Sequence, residues 1–215
     1  MTDKKDVVLR HPFPVRVAHW TTVFGFFLAA VSGLGFFFPS LHSWLLILGT
    51  PQLAQFLHPV FGLVMMAGLM VMFIGNVRHS LPEKGDLRWF KHMTDIMKGK
   101  EHYVVEVGHY NPGQKMLFWK IMGLATVLII TGLIAWRPYF ADLFSLPVLR
   151  LALFLHSMSG ILMMFLIIVH VYMGFWYKGT GRGMVYGTVT RSWAKKHHPR
   201  WLRELEAKEA KSADV

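Results

Sequence analysis

Four histidines, His19, His58, His156 and His170, lie within or at the mouth of long apolar runs, in a 215-residue chain whose twelve histidines are its only good transition-metal ligands. The cysteine count is zero, which excludes disulfides, thiolate nucleophiles, covalent c-type haem attachment and iron–sulfur clusters carried by this chain itself. An ionisable side chain inside a membrane span is a functional candidate by default, although a lone one is as often an interhelical hydrogen-bond contact. Here there are four, and their spacing sorts them. On the last apolar run His156 and His170 are 14 residues apart (170 − 156), about 21 Å of helical rise and roughly 40° short of four full turns, so both face one side of the helix. That arrangement suits two six-coordinate haems stacked across a bilayer, each iron held by imidazoles from two helices. One zinc or copper ion shared by all four is disfavoured, because the two levels are too far apart.

The elements that would carry them are membrane helices. Hydrophobic residues make up 53% of the chain and charged residues 16%, against about 25% charged in a soluble domain. The run WTTVFGFFLAAVSGLGFFF from Trp20, the run from Pro51 to Val77, the run from Ile121 to Trp136 extended by MLFW, and the run from Leu151 to Tyr177 predict four transmembrane helices. The spans are expected at about 17–38, 52–77, 115–136 and 150–177, within a single membrane domain over 1–215. The first is too long for the apolar core of a cleaved signal peptide.

Lysine and arginine set the orientation. Lys4, Lys5, Arg10 and Arg16 precede span 1, Arg78 to Lys115 carry the loop between spans 2 and 3, and Lys178 to Lys211 fill the tail, whereas the Pro39–Gln52 loop has none. Both termini are therefore expected to be cytoplasmic. His58 and His156 then form an outer pair, and His19 and His170 an inner pair. The net charge of +11 is assigned to topology and lipid headgroups, and the tail segment RSWAKKHHPRW to lipid rather than nucleic acid.

The cytoplasmic loop, 78–114, is expected to hold an amphipathic helix capped by Asp86, with Leu87, Phe90, Met93 and Met97 on one side and Gly99 at its end. In the basic tail, 178–215, the stretch from Leu202 reads as a short polar helix that frays. Gly25, Gly33, Gly35, Gly62, Gly68, Gly160 and Gly174 offer places where a porphyrin can approach, or ordinary helix contacts. His79 and His109 are weaker ligand candidates, and His11, His42, His92, His102, His197 and His198 fall in loops or the tail.

The stretches RVAHW, GTPQLAQFLHP, GHYNPGQKMLFW, ITGLIAWRPYF, LHSMSG, IVHVYMGFWYKG and WAKKHHPRW, in this order and spacing, resemble the cytochrome b (gamma) subunit of membrane-bound respiratory formate dehydrogenase, from about Val15 to Trp201. Cytochrome b subunits of nickel–iron hydrogenases and thiosulfate reductases share the plan, and RPYF with AKKHHPRW favours formate dehydrogenase. The resemblance implies an all-α four-helix bundle in the bacterial cytoplasmic membrane holding two haem b, with His58 and His156 on the outer iron and His19 and His170 on the inner. It implies reduction of a quinone, menaquinone or ubiquinone, on the cytoplasmic side, with contacts from Asn111, Gly113 and His170. It also implies an iron–sulfur (beta) subunit as donor, a molybdenum or tungsten (alpha) subunit where formate is oxidised, and a higher oligomer of the complex. No catalytic residue for formate is expected on this chain. The rival expectations are a hydrogenase or other oxidoreductase anchor and, from a different class, a haem-free anchor or transporter.

Overall fold

A computed structural model describes residues 6–98, 106–137 and 139–213. Lys4, Lys5, Gly99, Lys100 and His102, and the side chain of Met97, lie outside the described residues. In chain order the elements are β1 (Val7–Leu9), α1 (Phe13–Phe37), α2 (Pro51–Asn76), α3 (Asp86–Lys91), α4 (Met93–Met97), α5 (Pro112–Ala135), α6 (Leu146–Trp176), α7 (Thr180–Tyr186), β2 (Thr188–Thr190), α8 (Arg191–His197) and α9 (Pro199–Ala213), with short 3₁₀ segments at Pro39–Leu48, Val77–Ser80 and Ala141–Leu143.

Four helices are long and apolar enough to cross a membrane: α1, α2 with its 3₁₀ extension to Ser80, α5 and α6. They begin up to four residues before the expected starts (17 − 13 and 150 − 146). The reason is proline: Pro14, Pro51, Pro112 and Pro147 occupy the first or second helical position of the four spans. There the missing N–H costs nothing and the fixed φ suits the helix.

The chain divides into two compact units. One comprises residues 14–75 and 120–173 and contains most of the four long helices. Its interior is built on Met65, Leu69, Ala125 and Met163, with Phe26, Leu128 and Ile167 packed against them. Its outside is apolar too: Phe24, Phe27, Phe56, Ile74, Phe154 and Phe165 are exposed, as a lipid-facing surface requires. Glycines set the close approach of α1 to α2. A Cβ on Gly25 would lie 2.8 Å from the Met65 nitrogen and 2.9 Å from the Phe61 oxygen, both backbone atoms that cannot swing aside. Gly25→Val is therefore expected to force the helices apart and to cost about 1–3 kcal/mol, seen as a lower unfolding midpoint in detergent; an unchanged midpoint would contradict this packing. Gly35 serves the 3₁₀ segment instead, lying against the fully buried Leu45.

The other unit comprises residues 6–13, 76–119 and 174–213. A two-stranded antiparallel ribbon pairs Val7 with Thr190 and Leu9 with Thr188. Val8, Val189, Ala194, Trp201 and Leu202 form its core, with Trp193 and Leu205 packed beside them. The helix expected in the tail is present and starts earlier: α9 runs from Pro199 to Ala213, and Trp201, Leu202 and Leu205 give it an apolar face to bury. The loop helix also differs from expectation. Asp86 is the first helical residue, with Gly85 at the cap, and its carboxylate accepts from the Glu83 N–H at 2.8 Å. The helix breaks at His92, whose Nδ1 bonds the Arg88 carbonyl. The buried residue is Trp89, while Leu87 is 76% exposed.

Candidate functional site

Two histidine pairs form within the unit of long helices. The His58 and His156 rings have centroids 6.1 Å apart, and those of His19 and His170 are 6.4 Å apart. The depth sorting of the sequence paired the same residues. An iron ligated on both faces needs imidazole centres slightly over 6 Å apart, given metal–nitrogen bonds of about 2 Å and about 1.1 Å from nitrogen to ring centre.

Neighbouring hydroxyls and carbonyls settle which nitrogen of each ring in the first pair is free. The Ser32 hydroxyl donates to the Leu28 carbonyl at 2.7 Å, so at 2.9 Å from His58 its oxygen accepts, and the His58 Nδ1 carries the proton. His156 Nδ1 lies 3.1 Å from both the Leu128 carbonyl and the Thr131 hydroxyl; a carbonyl can only accept, so this Nδ1 is also protonated. In each ring Nε2 is left as a bare lone pair, oriented by its partner, which is the usual condition of a metal-ligating histidine.

A cavity of about 670 Å³ lies against this pair, lined by His58, His156, Gly33, Gly62, Gly132 and Gly160 among others. Gly132 was not among the glycines singled out from the sequence. A Cβ there would lie 3.1 Å from His156 Cε1, so Gly132 makes room for that imidazole, whereas one on Gly33 would lie 3.4 Å from His58 Cε1, an ordinary contact. Gly62 and Gly160 line the void itself, whereas Gly25 and Gly68 serve helix contacts. Arg137 is the one cation in the lining, a suitable neighbour for the carboxylates of a porphyrin. At the second pair, His19 Nδ1 is buried without a hydrogen-bond partner among the described residues. Among those residues no three His, Asp or Glu side chains come together to hold an ion. Paired imidazoles beside an apolar void fit a metal whose other four ligands come from a macrocycle.

The remaining candidates fall as follows. Asn111 caps α5: its Oδ1 accepts from the Gln114 N–H at 2.8 Å, and the Gln114 Oε1 accepts from the Asn111 N–H at 2.9 Å. This is a capping box with proline at the next position, a signal present in the sequence NPGQ. Gly113 lies under Trp89, whose Cη2 would be 3.2 Å from a Cβ. His170 belongs to the unit of long helices, and its surroundings there are those of the second pair.

His79 and His109 are ring neighbours at 4.5 Å, with His11 at 6.3 Å from His109. Beside them lies Arg10, which is 4% exposed and donates to the His109 carbonyl. Its guanidinium sits over Trp201 at 4.5 Å and Tyr110 at 5.4 Å. Burial lowers the Arg10 pKa to about 10 and that of His109 to about 2, the latter helped by repulsion from Arg10. The Tyr110 hydroxyl is pushed up to about 12 by burial and donates to Asn76 Oδ1 at 2.6 Å. Lys115, 5% exposed, bridges Glu83 and Asp86 at 3.3 Å each. Two of the cations counted for orientation are therefore buried in protein.

The sequence pattern of the family described as prokaryotic cytochrome b561 matches residues 10–187. The nitrate-inducible formate dehydrogenase cytochrome b556 subunit of Escherichia coli is 49% identical over 208 residues, 97% of this chain and 96% of the relative. A second formate dehydrogenase cytochrome b556 subunit of Escherichia coli is 46% identical over 98% of this chain and 99% of its own length. The formate dehydrogenase cytochrome b556 subunit of Haemophilus influenzae is 48% identical over 92% of this chain and 83% of its own length. The four long apolar helices, the paired histidines and these matches place the chain in the prokaryotic cytochrome b561 family, among the cytochrome b556 subunits of formate dehydrogenases.

Proposed function

We propose that this chain is the membrane electron-transfer subunit of a formate:quinone oxidoreductase of the bacterial cytoplasmic membrane. It takes electrons from an iron–sulfur subunit at the outer face and delivers them to a quinone, most naturally menaquinone, at the cytoplasmic face. Formate is oxidised on a molybdenum or tungsten subunit elsewhere in the complex. His58 with His156, and His19 with His170, would hold two haem b, whose iron supplies a one-electron couple at each level. The observation that carries this reading is the pair of imidazoles 6.1 Å apart with both Nδ1 atoms fixed by protein acceptors.

The chain's own residues do the rest. Ser32, Thr131 and the Leu128 carbonyl hold the ligand rings in one tautomer, and the surrounding leucines, methionines and phenylalanines exclude water from the path. Asn111 would offer amide hydrogens to a quinone oxygen, since its Oδ1 is engaged by the helix cap. Gly113 and His170 complete the proposed contacts. Quinone reduction consumes protons on the cytoplasmic side, while formate oxidation outside releases them, so turnover would charge the membrane.

A reduced-minus-oxidised absorption spectrum of the purified complex, with this subunit quantified on the same sample, tests the reading. Two haem b per chain, both reducible by formate, is the expected result. Absence of haem from a folded preparation would overturn it in favour of a haem-free anchor or transporter.

A further inference from the structure

The loop that leads into α5 is gripped at four consecutive residues by segments far away in sequence. The Glu106 carboxylate pairs with the Arg203 guanidinium. The Val107 carbonyl accepts from the backbone N–H of Arg200 at 3.2 Å. The Gly108 carbonyl accepts from His198 Nδ1 at 2.8 Å, and the His109 carbonyl from the Arg10 guanidinium. Three of the four partners belong to the first two turns of α9 or to the residue before it, and the fourth follows β1.

These contacts differ in weight. The Glu106–Arg203 pair is open to solvent, where ion pairs contribute little. The other three are sheltered. The Arg200 N–H belongs to the first turn of α9, where no intrahelical acceptor exists, and Val107 supplies one. His198 is 2% exposed, and burial together with Arg10 holds its pKa well below 6.5, so the ring is neutral and gives its single proton to Gly108. A Cβ at Gly108 would meet only the Arg200 guanidinium, the far end of a flexible side chain that can shift. Arg10 lies over the faces of Tyr110, Trp193 and Trp201, which offset the cost of burying its charge.

The next residues of the same loop are Tyr110, tied to Asn76, and Asn111, tied to Gln114. The amide of Asn111 therefore has α5 on one side and a clamped loop on the other. We propose that the C-terminal segment, through His198 and the Arg200 backbone and together with Arg10, is a positioning device that fixes Asn111 and so sets the affinity for quinone. His198 and Arg200 are positioning residues that act through the Val107–Asn111 loop. The inference rests on Asn111 being a quinone contact.

The test uses the whole formate dehydrogenase complex, with formate as donor and quinone varied. His198→Leu removes the donor, whereas His198→Asn keeps an N–H near the place of Nδ1. The KM for quinone is expected to rise roughly tenfold in His198→Leu, the cost of one sheltered hydrogen bond, and to stay within about twofold in His198→Asn. Haem content and reduction of the haems by formate should be unchanged in both. A second pair covers the case in which the leucine variant does not assemble. Arg200→Pro deletes the backbone donor within the first turn of α9, where proline is tolerated, and Arg200→Ala removes only the side chain. A raised quinone KM in Arg200→Pro but not in Arg200→Ala supports the proposal. An unchanged KM in both His198→Leu and Arg200→Pro overturns it, as does equal loss of haem from the leucine and asparagine variants. Asn111→Leu is measured alongside. Normal quinone turnover in that variant refutes the quinone contact itself, whereas impaired turnover there beside normal tail variants refutes only the positioning role.

Discussion

In a His156→Ala complex, formate-driven quinone reduction is expected to fall to background while formate oxidation with an artificial acceptor persists on the partner subunits. The imidazole that is lost is fixed by the Leu128 carbonyl and Thr131, and besides His58 the cavity lining holds no histidine, aspartate or glutamate to replace it. The haem count should drop from two to one. Thr131→Val provides a graded companion, since it removes one partner of Nδ1 and leaves the Leu128 carbonyl. Losses of this kind lower metal affinity by about 10–100-fold without deleting the ligand. A His156→Gly chain supplied with free imidazole separates ligation from packing, because deleting the side chain leaves an imidazole-sized space beside Gly132. Retention of both haems and full quinone reduction in His156→Ala would sink the assignment.

The pairing was legible because helical periodicity is local. Fourteen residues on one helix and alternating span direction suffice to put His156 beside His58 and His170 beside His19. What orients the rings was not legible. Ser32 is 26 residues from His58, and Thr131 is 25 from His156; a hydroxyl in an apolar span looks the same whether it bonds its own helix or a ligand histidine. The smaller unit was hidden for a related reason. Three-residue strands separated by about 180 residues carry no periodic signal, and Arg10, His198 and Trp201 read as members of charged flanks. Their roles come from long-range contacts that only the folded chain creates. The proline at the start of each span and the N-x-x-Q box at Asn111 were local signals and could have been read.

That box decides how the second large prediction must be made. Asn111→Leu is expected to cut quinone turnover more than tenfold while both haems remain reducible by formate, but leucine removes two things at once. It abolishes the cap of α5, which costs about 1 kcal/mol, and it removes the amide hydrogens offered to a quinone oxygen. Asn111→Asp separates them. Aspartate caps as well as asparagine, and its charge is favoured at a helix N-terminus, so the Gln114 N–H stays satisfied. Ionised, it has no hydrogen to donate. If the amide binds quinone, the aspartate variant should lose turnover as severely as the leucine variant while its unfolding midpoint stays near that of the parent complex. If Asn111 is only a cap, the aspartate variant should turn over normally and leucine alone should suffer. Steady-state rates with varied quinone, taken with haem spectra on the same preparations, distinguish the two.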